Sequence, residues 1–211
     1  LGHVAWFQEW WIARNRECAL GVACDPAHER APSLLPHADD WYDSSRVAHR
    51  TRWELPLPDA QGTRDYLERS LSQTLELLDG LRAEADDDAL YFFRLTALHE
   101  EMHAEAAIYM AENLGIAVRT GPPVQAQAAV AELEVPAQRF RLGFDGAGFA
   151  FDNELHSHEV ALEAFRIDSQ PVSWGRFLPF VEAGGYEQRE WWSDAGWDWL
   201  GRQPTRQPVM P

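Results

Sequence analysis

Two histidines four residues apart form the sharpest chemical pattern in the sequence. They are His99 and His103, within the run Leu-His-Glu-Glu-Met-His-Ala-Glu. On a helix, residues four apart lie one turn apart on the same face, so both imidazoles can bind one ion. Neutral imidazole is a common ligand for zinc, copper and iron. The spacing therefore predicts a metal site on a helix.

The third ligand of such a site must come from another helix. Glu100 and Glu101 fall on other faces than the histidine pair, and Glu105 lies about 200° round the helix from His103. His3 is the natural candidate, because it lies in the other strongly apolar segment with helical spacing. A lone histidine in such a segment is more often structural, so ordinary core or surface histidines are the alternative.

The run His-Glu-x-x-His also matches the zinc-peptidase motif, in which Glu100 would be the general base. A metzincin would continue with Gly and His at positions where this chain has Ala106 and Tyr109. No glutamate ligand from a later helix is apparent either. A peptidase is therefore the weaker interpretation, although three histidines alone would suit zinc as well as iron.

The elements that must position these residues divide the chain into a helical half and an irregular half. Apolar residues recur at helical spacing in the first half, and short alternating runs broken by Gly, Asp and Asn fill the second. A Gly-Pro-Pro run and Gln/Ala-rich residues lie between them. The sequence predicts an α+β protein with a helical metal-binding domain at 1–120, a linker at 121–131 and a second domain at 132–211.

Three helices and one long loop are predicted before the linker, and one helix after it. The helix that carries the histidine pair follows three aspartates that can cap it, and the helix before it carries a stripe of leucines. The loop is rich in Trp and Arg, and a loop of this length is uncommon without a function. The predicted helices span about 2–16, 63–85, 86–114 and 174–183, the loop spans 25–58, and the leucines are Leu67, Leu71, Leu75 and Leu78.

Charge and composition restrict the class of protein. A net charge of −16 over 211 residues opposes binding to nucleic acid or to an anionic membrane surface. No apolar run approaches the roughly 18 to 20 residues that a membrane span needs. Two cysteines six positions apart suggest neither a disulfide framework nor a cysteine zinc site. We therefore expect a cytoplasmic protein that acts on small molecules.

Several motifs together resemble the ergothioneine-type sulfoxide synthases and the related selenoneine synthases. They are Gly2-His3-Val-Ala-Trp-Phe-Gln-Glu and the later His99-x-x-x-His103-x-Glu105. Further stretches look like a formylglycine-generating-enzyme-like domain, namely Arg141-Leu-Gly, Phe151-Asp-Asn-Glu, Ala164-Phe-Arg-Ile-Asp and Gly184-Gly-Tyr. The resemblance implies a DinB-like four-helix bundle followed by a C-type-lectin-like (formylglycine-generating-enzyme-like) domain.

The resemblance also implies a cofactor, substrates and site residues. Fe(2+) would be bound by His3, His99 and His103, with hercynine, a trimethylated histidine, bound nearby. Dioxygen would drive formation of a bond from sulfur or selenium to the imidazole C2 of hercynine. The loop arginines are placed like the donor-binding residues of the family, where a guanidinium suits a carboxylate. These arginines are Arg46, Arg50 and Arg52.

One departure from the family pattern concerns substrate recognition. Ergothioneine-type enzymes commonly have Gln just before the second motif histidine, whereas this chain has Met102, whose thioether cannot donate a hydrogen bond. Together with the run from Gly2 to Trp11 and the segment Tyr42-Asp-Ser-Ser-Arg46, this difference favours the selenoneine synthases, whose donor is a selenosugar. The alternatives are a sulfoxide synthase that joins hercynine to cysteine or γ-glutamylcysteine, a DinB-like metal-dependent thiol transferase, and a binding module without catalytic activity.

Overall fold

The structure, a computed structural model, describes residues 1–81, 86–118 and 129–204. The chain divides into two compact units. The first comprises Leu1–Ala111 and Leu142–His158, and the second comprises the described residues of Glu112–Arg141 and Glu159–Pro211. Helices and strands are both present, as the predicted α+β class requires. The DinB-like and lectin-like assignments and the predicted domain boundaries stay predictions, and residues 121–128 of the predicted linker lie outside the described residues.

The described residues of the first unit include four α-helices. They are α1 (Gly2–Trp11), α2 (Ala38–Tyr42), α3 (Ala60–Asp79) and α4 (Asp87–Asn113), with α4 continuing two residues beyond the unit. Short 3-10 helices occur at Cys18–Ala23 and His49–Glu54. The three predicted helices of this half are confirmed, and the predicted loop contains α2. Residues 82–85, at the predicted end of the second helix, lie outside the described residues.

Side chains at the helix ends explain where these helices begin and stop. The Asp86 carboxylate accepts the backbone N–H of Ala89 at 2.9 Å, which confirms the predicted acidic cap of α4. Asp59 caps α3 in the same way by accepting from Gly62 at 2.8 Å. The helix α1 is shorter than predicted because the Asn15 amide donates to the carbonyl of Trp11 at 3.1 Å, which replaces a further helical bond.

The face that α3 turns towards α1 is polar and aromatic. Tyr66, Ser70 and Thr74 are buried, and the Ser70 hydroxyl donates to the carbonyl of Ala5 at 3.1 Å. The predicted leucine stripe lies beside this face, and its members Leu71, Leu75 and Leu78 are exposed. Hydrogen bonding explains the exchange at Tyr66 and Ser70, because a buried hydroxyl that has a partner does not carry the cost of an unsatisfied polar group. The buried Thr74 hydroxyl has no hydrogen-bond partner among the described residues.

A buried carboxylate joins α1 to α3 and to the loop between them. Glu9 accepts hydrogen bonds of 2.6 Å from the Tyr66 hydroxyl, the Ser33 hydroxyl and the backbone N–H of Leu34. Burial, reinforced by the adjacent Glu9, raises the pKa of Tyr66, which therefore stays a hydroxyl donor. The three hydrogen bonds compensate the free-energy cost of burying the Glu9 carboxylate. They also hold the loop against α1, just before α2 begins.

Two small sheets and two helices make up most of the rest of the chain. Strand β1 (Glu132–Val135) pairs antiparallel with β4 (Phe165–Asp168), and β2 (Gln138–Leu142) pairs with β3 (His158–Leu162). The helix α5 (Trp174–Glu182) confirms the predicted one, whereas α6 (Asp194–Gly201) was not predicted. Within the described residues, none of the helices combines the length and the apolar character that crossing a membrane requires.

Replacing Tyr66 with Phe tests the buried carboxylate. We expect the free energy of unfolding, measured by urea denaturation, to fall by about 1 to 3 kcal/mol because Glu9 loses one of its donors. The matched change Tyr109→Phe removes a hydroxyl from a side chain that is 53% exposed on α4. It should change the free energy by less than about 0.5 kcal/mol. Equal effects of the two variants would contradict this account.

Candidate metal centre

The three predicted metal ligands meet in the first unit. One ring nitrogen from each of His3, His99 and His103 lies within 4.8 Å of the other two. The Nε2 atoms of His99 and His103 are 3.2 Å apart. Two nitrogens that each bind the same ion at about 2.1 Å are expected to lie roughly 3.0 to 3.4 Å apart. This pair is therefore spaced as ligands of one metal ion, and His3 reaches it from another helix.

A backbone carbonyl orients His3. Its Nδ1 lies 2.8 Å from the carbonyl oxygen of Tyr42, the last residue of α2. A carbonyl at the end of a helix lacks an intrahelical partner and can accept this bond. Because the oxygen can only accept, Nδ1 carries the ring proton and the lone pair resides on Nε2. Metal-binding histidines are generally oriented by such a bond from the second nitrogen.

Ring contacts place α1 against α4 beside the three histidines. Phe7 stacks on His99 with ring centroids 3.7 Å apart, and Trp11 stacks on Phe92 at 5.0 Å. The ring of His3 lies 5.0 Å from that of His103. Increasing residue numbers on α1 meet decreasing numbers on α4, so the helices run antiparallel. We call these three pairs the aromatic ladder.

The imidazoles are kept neutral by their surroundings. Burial, with smaller contributions from His103 and His3, lowers the pKa of His99 to about 4. Burial also lowers the pKa of His3, although its bond to Tyr42 acts in the opposite direction. For His103, which is the most exposed of the three, partial burial is the first cause of a lowered pKa. Protons therefore compete less with a metal ion for these nitrogens near neutral pH.

The histidine pair is less enclosed than its apolar neighbours suggested. The sequence placed His99 and His103 in a buried interior, but His99 is half-buried and His103 is exposed. The reason is that α4 from Leu98 onward is exposed on most of its faces, and Leu98 itself is 40% exposed. The open side of the cluster leaves room for further ligands of an ion, so the donor set suits a metal that reacts with small molecules.

A cavity of about 350 Å³ borders His3. Its wall includes Trp41 and Tyr42 of α2, Ser44 and Arg52. The Arg52 guanidinium donates weak bonds of 3.3 to 3.4 Å to backbone carbonyls of residues 44 and 47. Of the three loop arginines expected to bind substrate, Arg52 therefore lines the same cavity as His3, and its binding role stays a prediction.

The other predicted substrate-binding residues have different positions. Arg46 forms an ion pair of 3.4 Å with Asp43 and its side chain is 78% exposed. Arg50 is also exposed, and it does not line the cavity. Met102 precedes His103 on α4 and is 56% exposed. The binding roles of these three residues stay predictions.

A second group of potential ligands lies in the loop after α1. Atoms of Glu17, Cys24 and His28 also lie within 4.8 Å of one another. The Arg30 guanidinium, however, contacts both ring nitrogens of His28. A cation already occupies the neighbourhood of these donors, which disfavours a second cation there. The sequence did not predict this cluster, because its three residues follow no ligand spacing of a known metal motif.

The chain is similar to known proteins over most of its length. No family model matches the chain. It is similar to three curated proteins named hercynine oxygenase. The identity is 35% over 209 residues for the protein of Mycolicibacterium thermoresistibile, 31% over 209 for that of Mycolicibacterium smegmatis and 32% over 214 for that of Mycobacterium tuberculosis. Each match covers 93% of this chain and 43% to 45% of the relative, so the chain spans less than half the length of these relatives.

The lowered pKa of His99 predicts how the metal-free protein responds to acid. The folded-state pKa of about 4 lies below the value of about 6.5 for an unfolded chain. The contribution of the neutral ring to stability is therefore complete above about pH 6.5 and is lost as the pH falls towards 4. Urea denaturation should show a free energy of unfolding that decreases over this interval, less steeply in His99→Gln. Identical slopes for the two proteins would refute the assignment.

Proposed function

We propose that this protein is a mononuclear non-haem iron enzyme that acts on hercynine with dioxygen. The observation that carries the proposal is the convergence of His3, His99 and His103, with the lone pair of His3 directed away from Tyr42. The three relatives named hercynine oxygenase support the substrate and the use of oxygen. Because the chain spans less than half of those relatives, the reaction of the whole protein is part of the proposal.

The donor set fits ferrous iron. Three neutral imidazoles would bind one side of the ion and leave other positions open. Iron, when bound there, supplies redox chemistry with dioxygen, which zinc, having no redox states, cannot supply. The relatives' name refers to oxygenase chemistry, so it favours iron over zinc for the same three ligands. The protein's part is to hold the rings neutral and correctly oriented at neutral pH.

The reaction we propose joins the imidazole C2 of hercynine to the selenium of a selenosugar. Bond formation removes one hydrogen from C2 and one from the selenol, and dioxygen accepts both electrons and both protons to leave as hydrogen peroxide. Met102 is the residue that favours this donor class, because it stands where the ergothioneine-type enzymes commonly have a hydrogen-bonding Gln. The thiol alternative, with cysteine or γ-glutamylcysteine as donor, differs in the chalcogen and is decided by the assay below.

The cavity beside His3 is the proposed donor site. Arg52 and Ser44 provide polar groups and Trp41 provides an aromatic wall next to a metal ligand. A guanidinium forms strong paired bonds with a carboxylate and weaker bonds with sugar hydroxyls. A donor bound there would contact His3, and Arg52 lines the same cavity. This shared cavity supports a donor site beside one of the proposed ligands.

A competition assay tests the proposed reaction. The protein is loaded with ferrous iron without oxygen, mixed with hercynine and equal amounts of selenosugar, cysteine and γ-glutamylcysteine, and then exposed to air. We expect mass spectrometry to show a product with selenium at C2 and dioxygen consumption that needs hercynine. His3→Ala, His99→Ala and His103→Ala should each lower the rate by about 100-fold or more through loss of the ion, whereas His37→Ala, on an exposed side chain, should not.

Each other outcome of this assay has a definite meaning. A sulfur product formed in preference to the selenium product would refute the selenosugar as the donor. It would leave the proposal of a hercynine-acting enzyme intact. Equal activity of the zinc-loaded protein would refute the iron assignment. Loss of activity in His37→Ala as large as in the three ligand variants would show that the cluster is not the active metal site.

The donor site is tested by Arg52→Ala. We expect the KM for the donor to rise by about 10-fold for a carboxylate-bearing thiol and less for a selenosugar, because one guanidinium pair contributes about 1 to 3 kcal/mol. The KM for hercynine should stay unchanged. Arg64→Ala, which removes an exposed guanidinium from α3, is the matched control. Equal donor KM values in all three proteins would exclude Arg52 from the site.

A further inference from the structure

His3 is held from two sides. On one side its Nδ1 donates to the carbonyl of Tyr42 at 2.8 Å. On the other side its ring lies over the indole of Trp6, with centroids 5.8 Å apart and an interplanar angle of 25°. The first contact selects the tautomer and the second restricts rotation of the ring. Both are needed if Nε2 is to point steadily at the other two histidines.

Both contacts lead to the same carboxylate. The indole N–H of Trp6 donates to Oδ1 of Asp39 at 2.7 Å. Asp39 lies on α2, the short helix whose last residue supplies the Tyr42 carbonyl. The side chain of Asp39 therefore fixes the stacked indole directly, and its backbone belongs to the element that carries the accepting oxygen.

Arg14 fastens this carboxylate to the chain that follows α1. Its two Nη groups form parallel bonds to Asp39, of 2.7 and 2.8 Å, and its Nε–H donates to the carbonyl of Ala31 at 2.6 Å. Arg14 is 5% exposed, so the ion pair is shielded on that side. The Arg14 guanidinium holds the pKa of Asp39 below its usual range, so the carboxylate is charged at neutral pH.

The fit between α2 and α1 is close at the start of α1 as well. A Cβ atom on Gly2 would clash with the ring of Tyr42, which is buried. The Tyr42 ring thus packs directly on the backbone next to His3. Movement of α2 away from α1 would withdraw the carbonyl and the ring together.

We infer that Asp39 is a positioning residue for the metal ligand His3. It joins α2 to Trp6 and Arg14, and so it holds the Tyr42 carbonyl and the Trp6 ring on two sides of the imidazole. This role rests on the proposed metal site, in which His3 binds the ion. Asp39 itself touches neither the ion nor a substrate, and its effect passes through Trp6 and Tyr42.

The test compares Asp39→Ala with Glu9→Gln. Glu9 is the matched control because it is a carboxylate that also binds α1 to its surroundings, but its partners are Ser33, Leu34 and Tyr66. Both variants are expected to lower the melting temperature. Cobalt(II) is the probe, since its visible absorption reports the ligands around it. We expect Asp39→Ala to bind cobalt at least about 10-fold more weakly than the wild type, and Glu9→Gln to bind within about 3-fold of it.

A second readout needs no metal. Long-range nitrogen–proton NMR spectra of the metal-free protein at about pH 8 distinguish the two neutral tautomers of an imidazole. We expect His3 of the wild type and of Glu9→Gln to carry its proton on Nδ1 alone. In Asp39→Ala we expect a mixture of tautomers, because the carbonyl that selects Nδ1–H is no longer held in place. A purely structural ion pair would leave this signature unchanged.

The outcomes separate the inference from the proposed function. The positioning role would be overturned if Asp39→Ala and Glu9→Gln bound cobalt equally weakly, each in proportion to its loss of stability. A single Nδ1–H tautomer in Asp39→Ala would also overturn it. Failure of the wild type to bind cobalt would instead refute the metal site, and the tautomer spectra alone would then decide whether Asp39 orients His3.

Discussion

The packing of α1 against α4 determines whether three imidazoles can meet. His99 and His103 share one helix, so helical geometry alone sets their separation. His3 reaches them only in one register of the two helices, which the aromatic ladder specifies through Phe7 on His99 and Trp11 on Phe92. A slip of one residue would move His3 by about 1.5 Å and turn it by about 100°. The stack and the ligand cluster would be lost together.

Apolar packing alone would not hold α1 so specifically, because stacked rings tolerate sliding. The directional contacts lie on the other sides of α1. Glu9 accepts from three donors on α3 and the loop, and Arg14 pairs with Asp39. Such groups are costly to bury unless every partner is in place, so alternative registers of α1 are penalised by unsatisfied charge. The Glu9 contacts resist sliding of the whole helix, whereas the Arg14–Asp39 pair is bonded to Trp6, the ring beside His3.

The sequence revealed the parts of this site that follow from periodicity. A spacing of four located His99 and His103, and an apolar helical segment identified His3. The acidic cap of α4 was visible as well. The orienting partner was not, because it is a backbone carbonyl, and every residue carries one. Its helix α2 spans five residues, too few for a periodic signal, and Asp39 therefore looked like one of several loop acids.

The leucine stripe shows a different limit. Spacing correctly identified α3 as a helix, but it assigned the buried face to Leu71 and Leu75 rather than to Tyr66 and Ser70. Hydrophobicity cannot anticipate that a hydroxyl becomes inexpensive to bury once Glu9 or the Ala5 carbonyl accepts its proton. Polar residues that find partners across an interface are the ones that sequence patterns misplace.

The two substrates of the proposed reaction would meet different elements of the protein. Met102 lies on α4 beside His103, whereas the proposed donor cavity is walled by Trp41 and Tyr42 of α2. A bound donor that stabilises this position of α2 also stabilises the position of the Tyr42 carbonyl. Because that carbonyl orients His3, donor binding then also favours metal binding. Linkage makes the effect reciprocal, so a bound ion would strengthen donor binding by the same factor. His99 and His103 are held by one shared helix, so we expect stronger coupling to the metal for the donor than for hercynine.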